Sequence, residues 1–273
     1  MLVGTLLLVG GAAAGAFGSL LGLGGGILIV PLLTIGFGLP LQQAVGVSLV
    51  CVIMTSSAAA GVYLERHVAN LRLGMTLELF TATGALVGGS IAFLLDERLL
   101  SGLFAALLLY VAGTMIQGSR AARTSQAEQT LPEAALAETA TSGGPPVAAH
   151  TPIRNMRLGV VGSFGAGIVS ALLGVGGGII KVPLMHLGMG VPLRVATATS
   201  NLMIGITAAA SAVIYALNGG IDPYVAGPTA IGVFVGATAG SRLGHRIQLR
   251  YLRALFVVVL GATAIQMMGR ALA

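Results

Sequence analysis

The segment LLGLGGGILIVPL at 20–32 returns as LLGVGGGIIKVPL at 172–184. Each copy carries three consecutive glycines, Gly24, Gly25 and Gly26 or Gly176, Gly177 and Gly178, followed by an apolar run that ends at Pro31 or Pro183. Glycine is a poor helix interior, because it loses the most backbone entropy on ordering and leaves its peptide groups uncovered. An apolar helix entering such a run is expected to break and a second to start after it. Paired interruptions in corresponding places of two halves are the sequence mark of a transporter binding site built from discontinuous helices.

The apolar setting decides the class. Of 273 residues, 56% are hydrophobic and 8% charged, against about 25% charged in soluble domains. A chain of this kind belongs in a bilayer. That excludes the ordinary soluble classes, nucleic-acid binders among them. The net charge of +6 then reads as loop arginines beside a membrane. Cys51, the single cysteine, sits among Val50, Val52 and Ile53 and reads as a small buried residue rather than a redox or metal group. The hydrophobic N-terminus has no basic region before it and is part of the repeat, so it reads as mature structure rather than a signal peptide.

Apolar segments are expected near 2–22, 24–38, 40–64, 73–95 and 99–118, and again near 158–174, 176–190, 193–217, 223–242 and 252–269. The repeat aligns without a gap from 10–63 onto 162–215, matching Pro40 to Pro192, Ser48 to Ser200, Thr55 to Thr207 and Tyr63 to Tyr215. Further on, GALVGG at 84–89 resembles GVFVGA at 232–237. Between the halves, 119–157 is rich in Ala, Ser, Thr, Pro and Glu. It reads as a flexible cytoplasmic linker between repeat 1 (1–118) and repeat 2 (158–273).

Arginine placement sets the orientation of the halves. The loop 65–72 holds Arg66 and Arg72, whereas its counterpart 218–222 holds only Asp222. The loop 95–98 holds Asp96, Glu97 and Arg98, whereas its counterpart 242–253 holds Arg242, Arg246, Arg250 and Arg253. Basic loops stay in the cytoplasm, so equivalent loops face opposite sides and the repeats are expected to be inverted, with five segments each. The linker and Arg194 then lie inside and both termini outside. A parallel eight-helix duplication would leave basic loops on both sides.

Lys181, the only lysine, lies four residues after Gly177 where repeat 1 has Ile29. A charge inside an apolar segment is functional by default; the competing reading has it snorkelling to the interface. Half-helices starting near Gly25 and Gly177 would aim free amides and the positive dipole end at the membrane centre, a setting for an anion. The glycines could instead serve close helix packing. Hydroxyls and an amide follow: Thr197, Thr199, Ser200 and Asn201 in repeat 2, with Thr207 and Ser211; Ser48, Thr55, Ser56 and Ser57 in repeat 1. Such groups donate to an oxyanion without adding charge, though more often they bond to backbone. Ser48, Ser200 and Asn201 lead this set. His186 is a candidate proton relay or substrate contact. Glu78, the one acid inside a segment, could couple protons, but it lies only six residues after Arg72 and is expected to reach the cytoplasmic interface.

The substrate-binding set is therefore Gly24, Gly25, Gly26, Ser48, Gly176, Gly177, Gly178, Lys181, Ser200 and Asn201, with His186 beside it. No catalytic, cofactor or metal constellation is expected, since His67, His150 and His245 fall in loops. The doubled GxGGG-x4-P motif, the short segment after it and the Ser/Thr-rich helix resemble the sulfite exporter TauE/SafE family over nearly the whole chain outside the linker. The resemblance implies a bacterial inner-membrane protein that moves small sulfur-containing or organic anions such as sulfite, sulfoacetate or other sulfonates. A secondary exporter leads; an uptake permease or anion channel is the alternative; a membrane-embedded enzyme would lack catalytic side chains. Proton coupling and assembly into a homo-oligomer are both left open.

Overall fold

The computed structural model describes residues 2–21, 26–65, 70–125, 155–243 and 249–272. Among them no strand occurs, and the chain reads as two runs of five helices. The first run is α1 (Leu2–Leu21), α2 (Gly26–Pro31), α3 (Leu41–Glu65), α4 (Leu71–Ala92) and α5 (Glu97–Ser125). The second is α6 (Met156–Leu173), α7 (Gly178–Pro183), α8 (Leu193–Leu217), α9 (Pro223–Leu243) and α10 (Leu249–Leu272). These follow the expected apolar segments, with one clear difference. Helix α5 runs on to Ser125, seven residues past the expected end at 118, so the linker's first residues are helical. Alanines and arginines in SRAARTS are good helix formers and carry α5 beyond its apolar part. Most of the expected linker, 126–154, lies outside the described residues.

Helix α6 stops at Gly174, which takes the left-handed conformation (φ 68°), and Gly176 (φ 79°) and Gly177 (φ 73°) follow in the same region. Three residues there would each be strained with a side chain, and that is why glycine fills them. Helix α7 then restarts at Gly178. The equivalent residues of the first half, 22–25, with Gly24 and Gly25 among them, lie outside the described residues.

Both short helices pass through a proline into a π-helical turn, Leu32–Gly36 after Pro31 and Leu184–Gly188 after Pro183. Proline cannot donate the bond the α ladder needs and crowds the carbonyl four residues back; the wider turn follows directly on that defect. Each turn closes with the same device. The amide of Leu39 donates to the Leu33 carbonyl (3.1 Å) and that of Val191 to the Met185 carbonyl (3.0 Å), across Gly38 and Gly190 at positive φ. This is a closure one residue wider than the Schellman motif of an α-helix C-terminus, as the π turn requires, with glycine again in the left-handed position.

Packing pairs the halves by exchange. Helix α1 packs on α9 as α6 packs on α4; α3 packs on α9 as α8 packs on α4; α3 meets α8 and α5 meets α10. Each short helix lies against the long one after it. The GALVGG and GVFVGA stretches make the outer crossings close. Gly84 and Gly88 abut the carbonyls of Phe164 and Ile168, and Gly232 and Gly236 abut those of Leu8 and Ala12, with no room for a Cβ. Helices in apolar surroundings associate through such small-residue contacts. Four helices, Leu71–Ala92, Glu97–Thr114, Met156–Leu173 and Val195–Leu217, are long and apolar enough to cross a membrane. Apolar side chains such as Val9, Met75, Val161 and Ile265 point outward, as a lipid-facing surface requires.

Candidate functional site

Gly26, the last residue of the first glycine run, meets the turn that leads into the second. A Cβ on Gly26 would stand 2.6 Å from the Gly174 carbonyl oxygen, and the Ser48 hydroxyl donates to that same oxygen at 2.7 Å while lying 3.3 Å from the Gly26 carbonyl. Ser48, one of the expected anion donors, thus has its single hydroxyl hydrogen directed at backbone and ties the start of α2 to the turn after α6. Val52 and Ile204, equivalent residues of α3 and α8, enclose Gly176 from two sides.

On the second-repeat side the polar groups are differently occupied. Ser200, the counterpart of Ser48, is 1% exposed, and Ser170 on α6 is equally buried. Neither hydroxyl has a hydrogen-bond partner, and Ser163, two turns before Ser170 on the same helix, shares that state. A buried donor left without an acceptor costs about 1–3 kcal/mol, so such groups call for an explanation. Ser170 and Ser200 flank the second glycine run. A Cβ on Gly177 would lie 3.2 Å from the Ser170 Cβ, and one on Gly178 would lie 3.6 Å from the Ser200 hydroxyl oxygen. The first hydrogen bonds of α7 are donated by Ile180 and Lys181 to the Gly177 carbonyl, which leaves the amides of Gly178 and Ile179 ahead of the ladder. Ser170 escaped the sequence reading because its counterpart is Gly18 and it sits in an unremarkable apolar run.

Lys181 is 1% exposed and Glu78 4% exposed. They form an ion pair, Nζ to Oε2 at 3.1 Å. This corrects the expectation for Glu78 and excludes the competing reading of Lys181. Glu78 does not reach an interface; α4 begins at Leu71, with Asn70 capping its first turn, and places Glu78 two turns in on its buried face. Lys181 does not snorkel either, and its charge is already matched. Thr207 on α8 ties the pair: it accepts from Lys181 Nζ at 2.6 Å and donates to Glu78 Oε1 at 2.6 Å, with the Met203 carbonyl at 3.1 Å as a second acceptor. The sequence signal for this pairing existed. A lone acid and a lone lysine inside apolar segments each need a partner, and the cheapest is the other.

The remaining candidates are spread along the edge of this region. Asn201 accepts at its backbone carbonyl from the Ser56 hydroxyl, joining α3 and α8. His186 Nδ1 bonds the Val191 carbonyl at 2.9 Å, which fastens the π turn to the approach to α8. Gly24 and Gly25 lie outside the described residues. The positions equivalent to Lys181, Thr207 and Glu78 across the repeat are Ile29, Thr55 and, by the offset of the GALVGG match, Ala226, all buried. The site is therefore asymmetric: both charges sit on the side of the second glycine run. No group of three or more His, Cys, Asp or Glu able to hold a metal occurs among the described residues.

Comparison with known proteins gives a consistent picture. Residues 7–267 match the family model described as Sulfite exporter TauE/SafE. The chain is 25% identical to the probable membrane transporter protein YunE of Bacillus subtilis, over 93% of each chain. It is also 25% identical to a probable membrane transporter protein of Methanocaldococcus jannaschii, over 96% of this chain and 94% of that one. A shorter stretch, 37% of this chain, is 33% identical to a Sulfite exporter TauE/SafE family protein of Arabidopsis thaliana, covering 23% of that protein. No solved structure matches.

Proposed function

The chain belongs to the sulfite exporter TauE/SafE family of membrane transporters, and from that premise we propose that it is a secondary transporter exporting a small sulfur-containing anion, such as sulfite, sulfoacetate or a related sulfonate, across a bacterial inner membrane. The anion binds at the second glycine run. The amides of Gly178 and Ile179, the hydroxyls of Ser170 and Ser200 and the Lys181 ammonium surround it, with Asn201 at the edge. Gly26 and Ser48 form the opposite wall and hold it in register. The two halves are inverted repeats with the 119–157 linker in the cytoplasm, so that α7 runs toward the cytoplasmic side and Lys181 meets an anion arriving from there.

The observation that carries this reading is the pair of buried, unpartnered hydroxyls beside Gly177 and Gly178. An oxyanion offers each an acceptor, and the glycines let it approach the backbone. Substitution separates ligand donors from packing groups. Ser170→Ala and Ser200→Ala should each weaken sulfite binding by about 1.5 kcal/mol, the scale of a hydrogen bond to a charged group, or about tenfold. Thermal stability without ligand should stay level or rise, since a buried orphan is removed. Calorimetric titration and thermal unfolding of the purified protein read both. Unchanged sulfite affinity in both folded variants would sink the site.

A further inference from the structure

We propose that Glu78 couples anion movement to protons: a proton on Glu78 frees Lys181 for the anion, so that proton and anion leave together, driven outward by the anion's own gradient. This rests on the anion site proposed above and adds its coupling residue. With neither ligand, the buried pair Lys181–Glu78 is neutral overall. With an anion on Lys181 and a proton on Glu78, the site is neutral again. Either ligand alone leaves a net charge in a place sealed from water, which is costly. A site with this arithmetic favours both ligands or neither.

The hydrogen bonds supply the switch. In the pair, the Thr207 hydroxyl accepts from Lys181 and donates to Glu78 Oε1. When a proton lands on Oε1, that oxygen becomes a donor. Thr207 can then turn its hydrogen to the Met203 carbonyl, 3.1 Å away, and accept from Glu78 instead. Lys181 loses an anionic partner and keeps its charge. Its Cε lies 3.5 Å from where a Gly177 Cβ would stand, so the released ammonium is beside the glycine run without a change of helix position. No bond other than O–H forms or breaks, and the proton leaves Glu78 when the anion leaves Lys181.

Lys181 is the charged group that touches Glu78 among the described residues. Helix α4 packs on α6 and α8. Arg157, at the start of α6, is exposed, as is Arg72 on α4 itself; His186, after α7, is bonded to Val191; the Arg194 side chain of α8 lies outside the described ones. Ile29, Thr55 and Ala226, the equivalent positions across the repeat, give no second coupling point.

The test uses purified full-length protein and methanesulfonate, a monovalent sulfonate that does not itself titrate near neutral pH. Calorimetric titrations in buffers of different ionisation enthalpy count the protons bound with the anion. The wild type should take up about one proton per methanesulfonate at neutral pH, and its affinity should rise as pH falls, by up to about tenfold per pH unit. Glu78→Gln, which mimics the protonated acid, should take up none, bind more tightly than the wild type at neutral pH, and lose the pH dependence. Wild-type binding without proton uptake, or undiminished uptake in Glu78→Gln, overturns the coupling while leaving the anion site standing. Absence of binding by the wild type to both methanesulfonate and sulfite overturns the anion site itself, and the coupling with it. The wild-type proton count decides even if Glu78→Gln fails to fold.

Discussion

Lys181 is the residue on which the reading turns, and its neighbourhood changes what a substitution there means. Removing the ammonium strands the Glu78 carboxylate in the interior. Lys181→Met alone should therefore destabilise the protein by about 3–5 kcal/mol, the cost of breaking a buried pair from one side. Combining it with Glu78→Gln should recover most of that loss, since both charges then go together. Thermal unfolding of the two single variants and the double variant forms the cycle; additive losses would mean that the two charges do not depend on each other. Little of this was legible in sequence. The lysine announced itself as a charge in an apolar run, but Glu78 lies 103 residues away in the chain, and its nearness to Arg72 pointed to the membrane surface. Ser48 and Ser200 looked equivalent, yet one hydroxyl is directed at the Gly174 carbonyl and the other is left without a partner. Pairing across halves, not residue type, separates them.

The helices themselves were far more legible. Apolar length, the glycine interruptions and the repeat gave ten segments close to the observed ones, because each depends on local propensity and hydrophobicity. The π turns after Pro31 and Pro183 were not foreseen, since a proline only says that the ladder is disturbed and not how it recovers. The exchange of packing partners, α1 on α9 and α6 on α4, also lay beyond the sequence, although the glycines that permit it stood out as a repeated stretch. Which way each helix points is a separate matter, and the arginine pattern argues for inversion. In that arrangement the end of α5 is cytoplasmic and the loop before α9 external. Single cysteines at Ser125 and Asp222, introduced with the buried Cys51 in place, should react with a membrane-impermeant maleimide from opposite sides. Reaction of both from the same side would refute inversion.

At the scale of the whole molecule, two similar halves enclose a site that is not symmetric. The repeat supplies the scaffold: Gly26 and Gly174 brought together and bridged by Ser48, and in each half a short helix lying on a long one. Divergence supplies the chemistry, with Lys181, Glu78, Ser170 and Ser200 all on the side of the second glycine run and Ile29, Ala226 and Gly18 in three of the equivalent places. An inverted pair of halves offers a simple route to alternating access, by rocking one against the other about the fixed contact. The direct trial of this account is the movement of radiolabelled sulfite into proteoliposomes holding the purified protein, with the wild type and the Ser170→Ala/Ser200→Ala variant side by side. The account predicts saturable uptake by the wild type, absent from protein-free vesicles, and a large loss in the double variant at subsaturating sulfite. Uptake that does not saturate, or that is the same in both proteins, would contradict it.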